Sequence, residues 1–189
     1  TAVELLPVHE FNNSQAPGCE HPENLEVNHW GYMTKLFFAP EAAYASNSNG
    51  EQITGFQNMV NTFHEQGLRV FMDVVYNHTG SPEYLGFIDK AYYYRLNNDG
   101  SHDDRLTACG NTFNTDYPMA ERLVIHSLRH FVRNYGIDGF RFDLAGALSG
   151  RMLSQIARDE YLINTVIIGE PWACAPEGYG HFRDATRDT

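Results

Sequence analysis

Leu68-Arg-Val-Phe-Met-Asp-Val-Val-Tyr76 is a dense run of β-branched and aromatic residues, followed directly by Asn77-His78-Thr79. A run this apolar on both faces reads as a strand covered from both sides. On its amino-terminal side, Glu51 to Gln66 places Ile53, Phe56, Met59, Val60 and Phe63 on one helical stripe that ends at Gly67. Beyond it, Met119 to Tyr135 carries Leu123, Ile125, Leu128, Phe131 and Val132 in the same way. Ile137 to Leu144 and Thr165 to Gly169 read as further strands, Leu153 to Tyr161 as a short helix, and Ala2 to Val8 as the first strand. Strands alternating with helices imply parallel βαβ units with right-handed crossovers. That leaves an open doubly wound sheet or a barrel.

No G-x-G-x-x-G or G-x-x-x-x-G-K-[ST] turn follows any strand, which removes the main support for a nucleotide-binding sheet. Polar residues gather instead at the carboxyl ends of successive strands: Glu10, then Asp73, Asn77 and His78, then Arg141 and Asp143, then Glu170. Barrel enzymes place their chemistry there. A whole barrel takes about 250 residues, whereas four strands are legible in these 189. The expected fold is therefore α/β, a partial (β/α)8 TIM barrel. No repeat or Pro/Gly-rich linker divides it, so residues 1–189 read as one central section of the barrel. Residues 9–50 and 79–116 are expected as long loops over the site, the second mostly polar from Pro82 to Asp116.

The chain carries 13 Lys and Arg against 24 Asp and Glu, a net charge of −11 with no basic block. Nucleic acid and anionic membrane both need neutralising cations, so neither is an expected partner. No run approaches the length of a membrane span, and no signal peptide is recognisable. Cys19, Cys109 and Cys174 are odd in number, far apart and without a CxxC pair, which reads as free thiols in a reducing compartment. The opening Thr1-Ala-Val-Glu-Leu-Leu-Pro-Val8 reads as the inside of a strand, the mark of a piece of something longer.

Arg141 and Asp143 lie two apart in Gly139-Phe-Arg-Phe-Asp143, so both side chains point to one face of a strand. Beside an Arg, a carboxylate is kept ionised and aimed, as a nucleophile requires; a structural ion pair is the alternative. Glu170 ends the next strand in Gly169-Glu-Pro-Trp172, and apolar and aromatic neighbours are expected to keep it protonated. Neighbouring parallel strands would set the two carboxyl groups about 5 Å apart, the spacing of retaining glycosidases. Asp73 should enter the same interior, with Asn77 and His78 offering groups to sugar hydroxyls and His78 a hydrogen bond to Asp73. His9, His29, His64, His126 and His130 lack such company and read as surface or helix residues.

Asp73-Val-Val-Tyr-Asn-His78, Gly139-Phe-Arg-Phe-Asp143 and Gly169-Glu-Pro-Trp172 resemble, in order, three of the four short sequence regions of the α-amylase superfamily, glycoside hydrolase family 13. Trp30-Gly-Tyr-Met-Thr34, Phe38-Ala-Pro40, Cys109-Gly-Asn-Thr-Phe-Asn114 and Asp143-Leu-Ala145 bring the likeness to isoamylases and glycogen debranching enzymes. By that resemblance Asp143 would be the nucleophile, Glu170 the general acid/base and Arg141 the residue orienting the nucleophile. Tyr32 would stack on the sugar before the scissile bond, with Asp73, Asn77, His78 and Trp172 around it, while Trp30 is expected in the core. The substrate implied is a branched α-glucan, cut at α-1,6 branch points with retention and without an organic cofactor. Glu10, the Phe11 carbonyl, Asn13 and Glu41 resemble parts of a calcium site; oxygen ligands suit Ca2+, and a solvated acidic loop fits the same residues. The resemblance and the free thiols point to the cytoplasm.

The fourth region, a His-Asp pair, has no counterpart in the 189 residues, which alone are expected to be inactive and poorly soluble. Three rival readings remain: a pullulanase or α-1,4-acting relative, a transglycosylase, and a non-catalytic α-glucan-binding subunit.

Overall fold

The computed structural model describes residues 1–14, 28–47 and 49–174. Its elements are β1 (Ala2–Leu5), β2 (His9–Phe11), β3 (Thr34–Pro40), α1 (Glu51–Glu65), β4 (Arg69–Val74), α2 (Gly86–Tyr93), α3 (Pro118–Tyr135), β5 (Gly139–Phe142), α4 (Gly150–Ile156) and β6 (Val166–Gly169). Strands β1, β4, β5 and β6 form a parallel sheet in that order, and among the described residues it does not close on itself. No helix among the described residues is long and apolar enough to cross a membrane. Cys19 lies outside the described residues, as do residues 15–27 and 48 of the 9–50 segment.

Strand alternation divides the sheet into two chemistries. Val70, Met72 and Val74 of β4 and Phe140 and Phe142 of β5 are wholly buried in the main core. They join Phe56 and Val60 from α1 and Val124, Leu128 and Phe131 from α3 in that core. The intervening residues face the other way, and the register sets Asp73 directly beside Arg141. The outer strands are less covered: Ala2 and Glu4 of β1 are exposed, and Ile167 and Ile168 of β6 are each 38% exposed.

Several sequence expectations need correction. Residues 9–50 are not only loop, because β2 and β3 pair antiparallel through irregular register. Thr34-Lys-Leu-Phe-Phe-Ala-Pro40 has the composition of a strand, and Phe37 anchors it in the core. The 79–116 segment contains α2, interrupted at Asp89, and two isolated bridges, Tyr94–Phe113 and Leu96–His102. Its Tyr94 and Phe113 belong to the main core, so packing rather than solvent orders it. The expected helix Leu153–Tyr161 lies instead at Gly150–Ile156. Arg129 grips both Asp159 oxygens (2.6–3.1 Å) and Asp159 accepts the Tyr161 N–H (3.0 Å), which bends the chain out of the helix. Trp30, expected in the core, is 57% exposed. A Cβ on the adjacent Gly31 would sit 2.3 Å from the Pro7 oxygen, so the backbone itself packs there and the indole is left outside, stacked on His29.

His9 is not a surface residue. It is fully buried on β2, with ring contacts to Phe131 (4.8 Å), Tyr76 (5.7 Å) and Phe37 (6.3 Å), and neither ring nitrogen has a hydrogen-bond partner. Burial, reinforced by His130, lowers its pKa to about 3. Because the folded value lies below the unfolded 6.5, stability is full above 6.5 and is lost as pH falls toward 3. At pH 5 this amounts to about 2 kcal/mol. Replacing His9 with Leu is expected to remove that dependence and raise the urea midpoint modestly at pH 7.5, with a larger gain at pH 5. An equal loss of midpoint in variant and wild type between the two pH values would contradict this account of the cage.

Candidate active site

Asp143 and Glu170 directly follow β5 and β6, and the ladder runs on through them. The Asp143 N–H donates to Val74 O (3.1 Å), and the Glu170 N–H donates to Phe142 O (3.0 Å). The two carboxylates therefore stand at the same level on adjacent parallel strands. Arg141 reaches up from β5 between them. Its Nη1 contacts Asp73 Oδ1 and Oδ2 (3.0 and 2.9 Å) and Asp143 Oδ1 (3.2 Å), while its Nη2 lies 2.5 Å from Glu170 Oε1. One guanidinium thus serves three carboxylates, a cluster of formal charge +1 − 3 = −2.

Burial alone would lower the Arg141 pKa, but Asp73, Glu170 and Asp143 outweigh it and hold the guanidinium above its usual range. Burial raises the Asp73 pKa, against the opposing pull of its bonds from Tyr32 and Arg141. Tyr32 donates its phenol to Asp73 Oδ2 at 2.6 Å, and burial together with that bond pushes the phenol well above 10. Tyr32 is thereby a protonated donor fixed on Asp73.

Asn77, expected beside the sugar, has both its amide nitrogen and its oxygen bonded within the protein. Its amide donates to the Asp143 carbonyl (2.9 Å) and to Asp143 Oδ2 (2.8 Å), and its oxygen meets His78 Nδ1 at 2.5 Å. Both donors act on Asp143, so Asn77 positions the carboxylate. His78 is bonded to Asn77 rather than to Asp73; it is buried, and burial lowers its pKa to about 4, so it is neutral near pH 7. Trp172 is 55% exposed beyond Glu170.

The surroundings of Glu170 differ from the apolar wall expected for it. Glu170 Oε1 meets Arg141, and Oε2 accepts the Leu144 N–H at 2.8 Å. Sequence reasoning missed Leu144. It sits at φ 41°, ψ 52°, a left-handed conformation that is costly for a side chain of its size. That conformation turns its N–H toward Glu170, and no sequence signal marks a leucine for it. Gly146 was missed as well. A Cβ there would lie 2.6 Å from the Trp172 carbonyl carbon, while the Gly146 N–H donates to Trp172 O (3.0 Å). Only a glycine lets the chain after Glu170 close over the Asp143 turn.

Glu10, Asn13 and Glu41 meet at the end of the β2–β3 pair, but as a hydrogen-bonded clasp. Glu41 is buried; its Oε2 accepts the Phe11 N–H (2.9 Å) and its Oε1 accepts Asn13 Nδ2 (3.1 Å) and the Ala43 N–H (2.8 Å). Glu10 Oε2 accepts the Ala42 N–H (2.9 Å). Calcium needs oxygens converging on one point, whereas Asn13 turns its N–H to Glu41 and Phe11 enters through its own N–H. Among the described residues no three His, Cys, Asp or Glu side chains are grouped as metal ligands are. In this arrangement the residues do not fit a calcium cage.

No protein-family model matches the chain. It is 38% identical over 193 residues to a protein named isoamylase 3, chloroplastic, from Oryza sativa subsp. japonica, covering 92% of this chain and 25% of that protein. It is 35% identical to a glycogen operon protein GlgX homolog from Mycobacterium tuberculosis, covering 100% of this chain and 30% of that protein. The fold superposes with TM-score 0.80 and 32% identity on a pullulanase from Paenibacillus barengoltzii in complex with maltohexaose and α-cyclodextrin, covering 93% of this chain and 28% of that one. The chain thus spans about a quarter to a third of the curated relatives it matches.

Arg141→Gln should leave three carboxylates facing one another. A loss of about 2–4 kcal/mol in urea unfolding at pH 7.5 is expected, less than for a fully buried pair because the Arg141 side chain keeps 19% of its exposure. The loss should shrink as acid neutralises the cluster. A deficit of the same size at pH 7.5 and pH 4 would show that the guanidinium acts by packing alone.

Proposed function

We propose, from the premise that this chain is an isoamylase-like segment of the α-amylase superfamily, that it supplies the nucleophile and the general acid/base of a debranching glycoside hydrolase. The observation that carries this reading is the pair Asp143 and Glu170, level on adjacent parallel strands and both touched by Arg141. The sheet β1-β4-β5-β6 is then one arc of a (β/α)8 barrel, about strands 2 to 5, with its site at the carboxyl ends.

Asp143, held by Arg141 and Asn77, attacks the anomeric carbon of a glucosyl unit. Protonated Glu170 gives its proton to the departing glycosidic oxygen, the C–O bond breaks, and a covalent ester to Asp143 remains. Glu170 then takes a proton from water, whose oxygen displaces Asp143 and restores the original configuration. In the free chain Glu170 lies against Arg141 and the Leu144 N–H, and the glycosidic oxygen takes the place of the guanidinium when substrate enters. Arg141 retains Asp73 and Asp143 when that happens. Tyr32, its phenol fixed by Asp73, offers its ring to the sugar in the subsite before the scissile bond, and Trp172 offers an exposed indole beyond. Two carboxylates and a water suffice for this sequence, and no metal enters it.

The substrate class is a branched α-glucan such as glycogen or amylopectin, cut at α-1,6 linkages. The names of the relatives and the maltohexaose held by the pullulanase neighbour support it. That neighbour also favours a second reading, pullulanase-type specificity, which release from pullulan against release from glycogen separates. The odd cysteine number and the GlgX likeness support a cytoplasmic setting.

The test uses the full-length protein that carries this chain. Amylopectin should yield new reducing ends and a deeper iodine colour as linear chains are freed. Asp143→Asn should lower kcat by at least about 10³-fold. Glu170→Gln should lose comparable activity on polysaccharide but far less on α-glucosyl fluoride, whose leaving group needs no proton. Undiminished amylopectin hydrolysis by the Asp143 variant would end this assignment.

A further inference from the structure

Two segments far apart in sequence, each carrying a cysteine that the carboxylate chemistry does not use, meet at one turn. The chain turns tightly after Asp104: the N–H groups of Thr107 and Ala108 both donate to Asp104 O (3.0 and 2.7 Å), and Ala108 has φ 54°. Cys109 folds back on this turn, its Sγ donating to Thr107 O at 3.2 Å. The segment following β6 is hydrogen-bonded onto the same turn, because the Cys174 N–H donates to Leu106 O at 2.8 Å. Leu106 clusters with Leu144 and Ala147, and Ala173 packs against them, so the contact has an apolar floor. Both thiols lie in the field of Asp143, and Cys109 in that of Cys174. Cys174 is exposed, Cys109 partly so, and both are free thiols.

We propose that Cys109 and Cys174 form a disulfide-forming pair, an oxidative modification site that links the 79–116 segment to the chain just beyond Glu170. The oxidant is a low-molecular-weight disulfide such as oxidised glutathione. The exposed Cys174 thiolate attacks it, the small disulfide's S–S bond breaks, and one glutathione leaves as a thiolate that takes up a proton. The Cys109 thiolate then attacks the Cys174 sulfur and expels the second glutathione. Two protein thiols are oxidised and one glutathione disulfide is reduced to two thiols.

The surroundings set the pace. Burial, helped by Asp143, Cys174 and Asp104, pushes the Cys109 thiol up to about 12. Burial, Asp143 and Glu170 raise that of Cys174. Thiolate is therefore scarce at neutral pH, and closure quickens as pH rises. Once formed, the bridge pins the Leu106 turn against Leu144, whose N–H holds Glu170. The inference rests on these contacts alone and not on the hydrolase reading.

The test treats the full-length protein that carries this chain with oxidised glutathione at about pH 8.5, blocks remaining thiols, digests without reductant and maps linked peptides by mass spectrometry. The native protein should give the Cys109–Cys174 pair predominantly, whereas the protein oxidised in urea should give a mixture of pairings. Cys109→Ser should stop at a glutathione adduct on Cys174. The same mixture of pairings in the native and denatured chains, or separate glutathione adducts on Cys109 and Cys174 after complete reaction, would overturn it.

Discussion

Arg141 stands where a strand residue can touch both neighbouring strand ends at once. It faces away from the helices because Phe140 and Phe142 face toward them. From that position one guanidinium answers Asp73 on β4, Asp143 at the end of its own strand, and Glu170 at the end of β6. Three carboxylates this close repel one another, and a planar cation with five N–H donors is suited to holding them together. The sheet register decides whether this works. A slip of one residue between β4 and β5 would bury Arg141 among the phenylalanines and turn the aromatic rings toward the carboxylates.

The rest of the site refines what Arg141 gathers. Asn77 orients Asp143 with both amide hydrogens, and the left-handed Leu144 turns an N–H to Glu170. Tyr32 secures the outer side of Asp73. These supports come from the turn after β4, the turn after β5 and the segment before β3. Backbone geometry outside the regular elements therefore carries as much of the site as the strands do. The close approach at Gly146 belongs to the same design, since it seats the chain beyond Glu170 on the turn that follows Asp143.

The parallel strands and the long helices were legible because their periodicities are strong. Val70, Met72 and Val74 mark β4 as plainly as Leu128 and Phe131 mark α3. The β2–β3 pair was hidden by its shortness and irregular register, and α4 by an Arg129–Asp159 contact spanning 30 residues. His9 illustrates a general difficulty. A histidine in a short polar-looking stretch gives no sign that three aromatic rings will enclose it.

Asp73, Arg141, Asp143 and Glu170 could be named from the sequence because strand alternation and position at a strand end are local properties. Local order likewise determined the parallel α/β character and the core faces of α1 and α3. The tertiary structure alone decided how these groups meet: Arg141 shared among three carboxylates, Asn77 turned onto Asp143, and Glu170 against a guanidinium instead of an apolar wall. It also decided that Glu41 closes a clasp of N–H donors and that Cys174 lies on the turn before Cys109. The physical reason is the same in each case. Periodicity fixes which face a side chain takes, whereas its partners depend on which distant segments the packed core brings within about 3 Å of it.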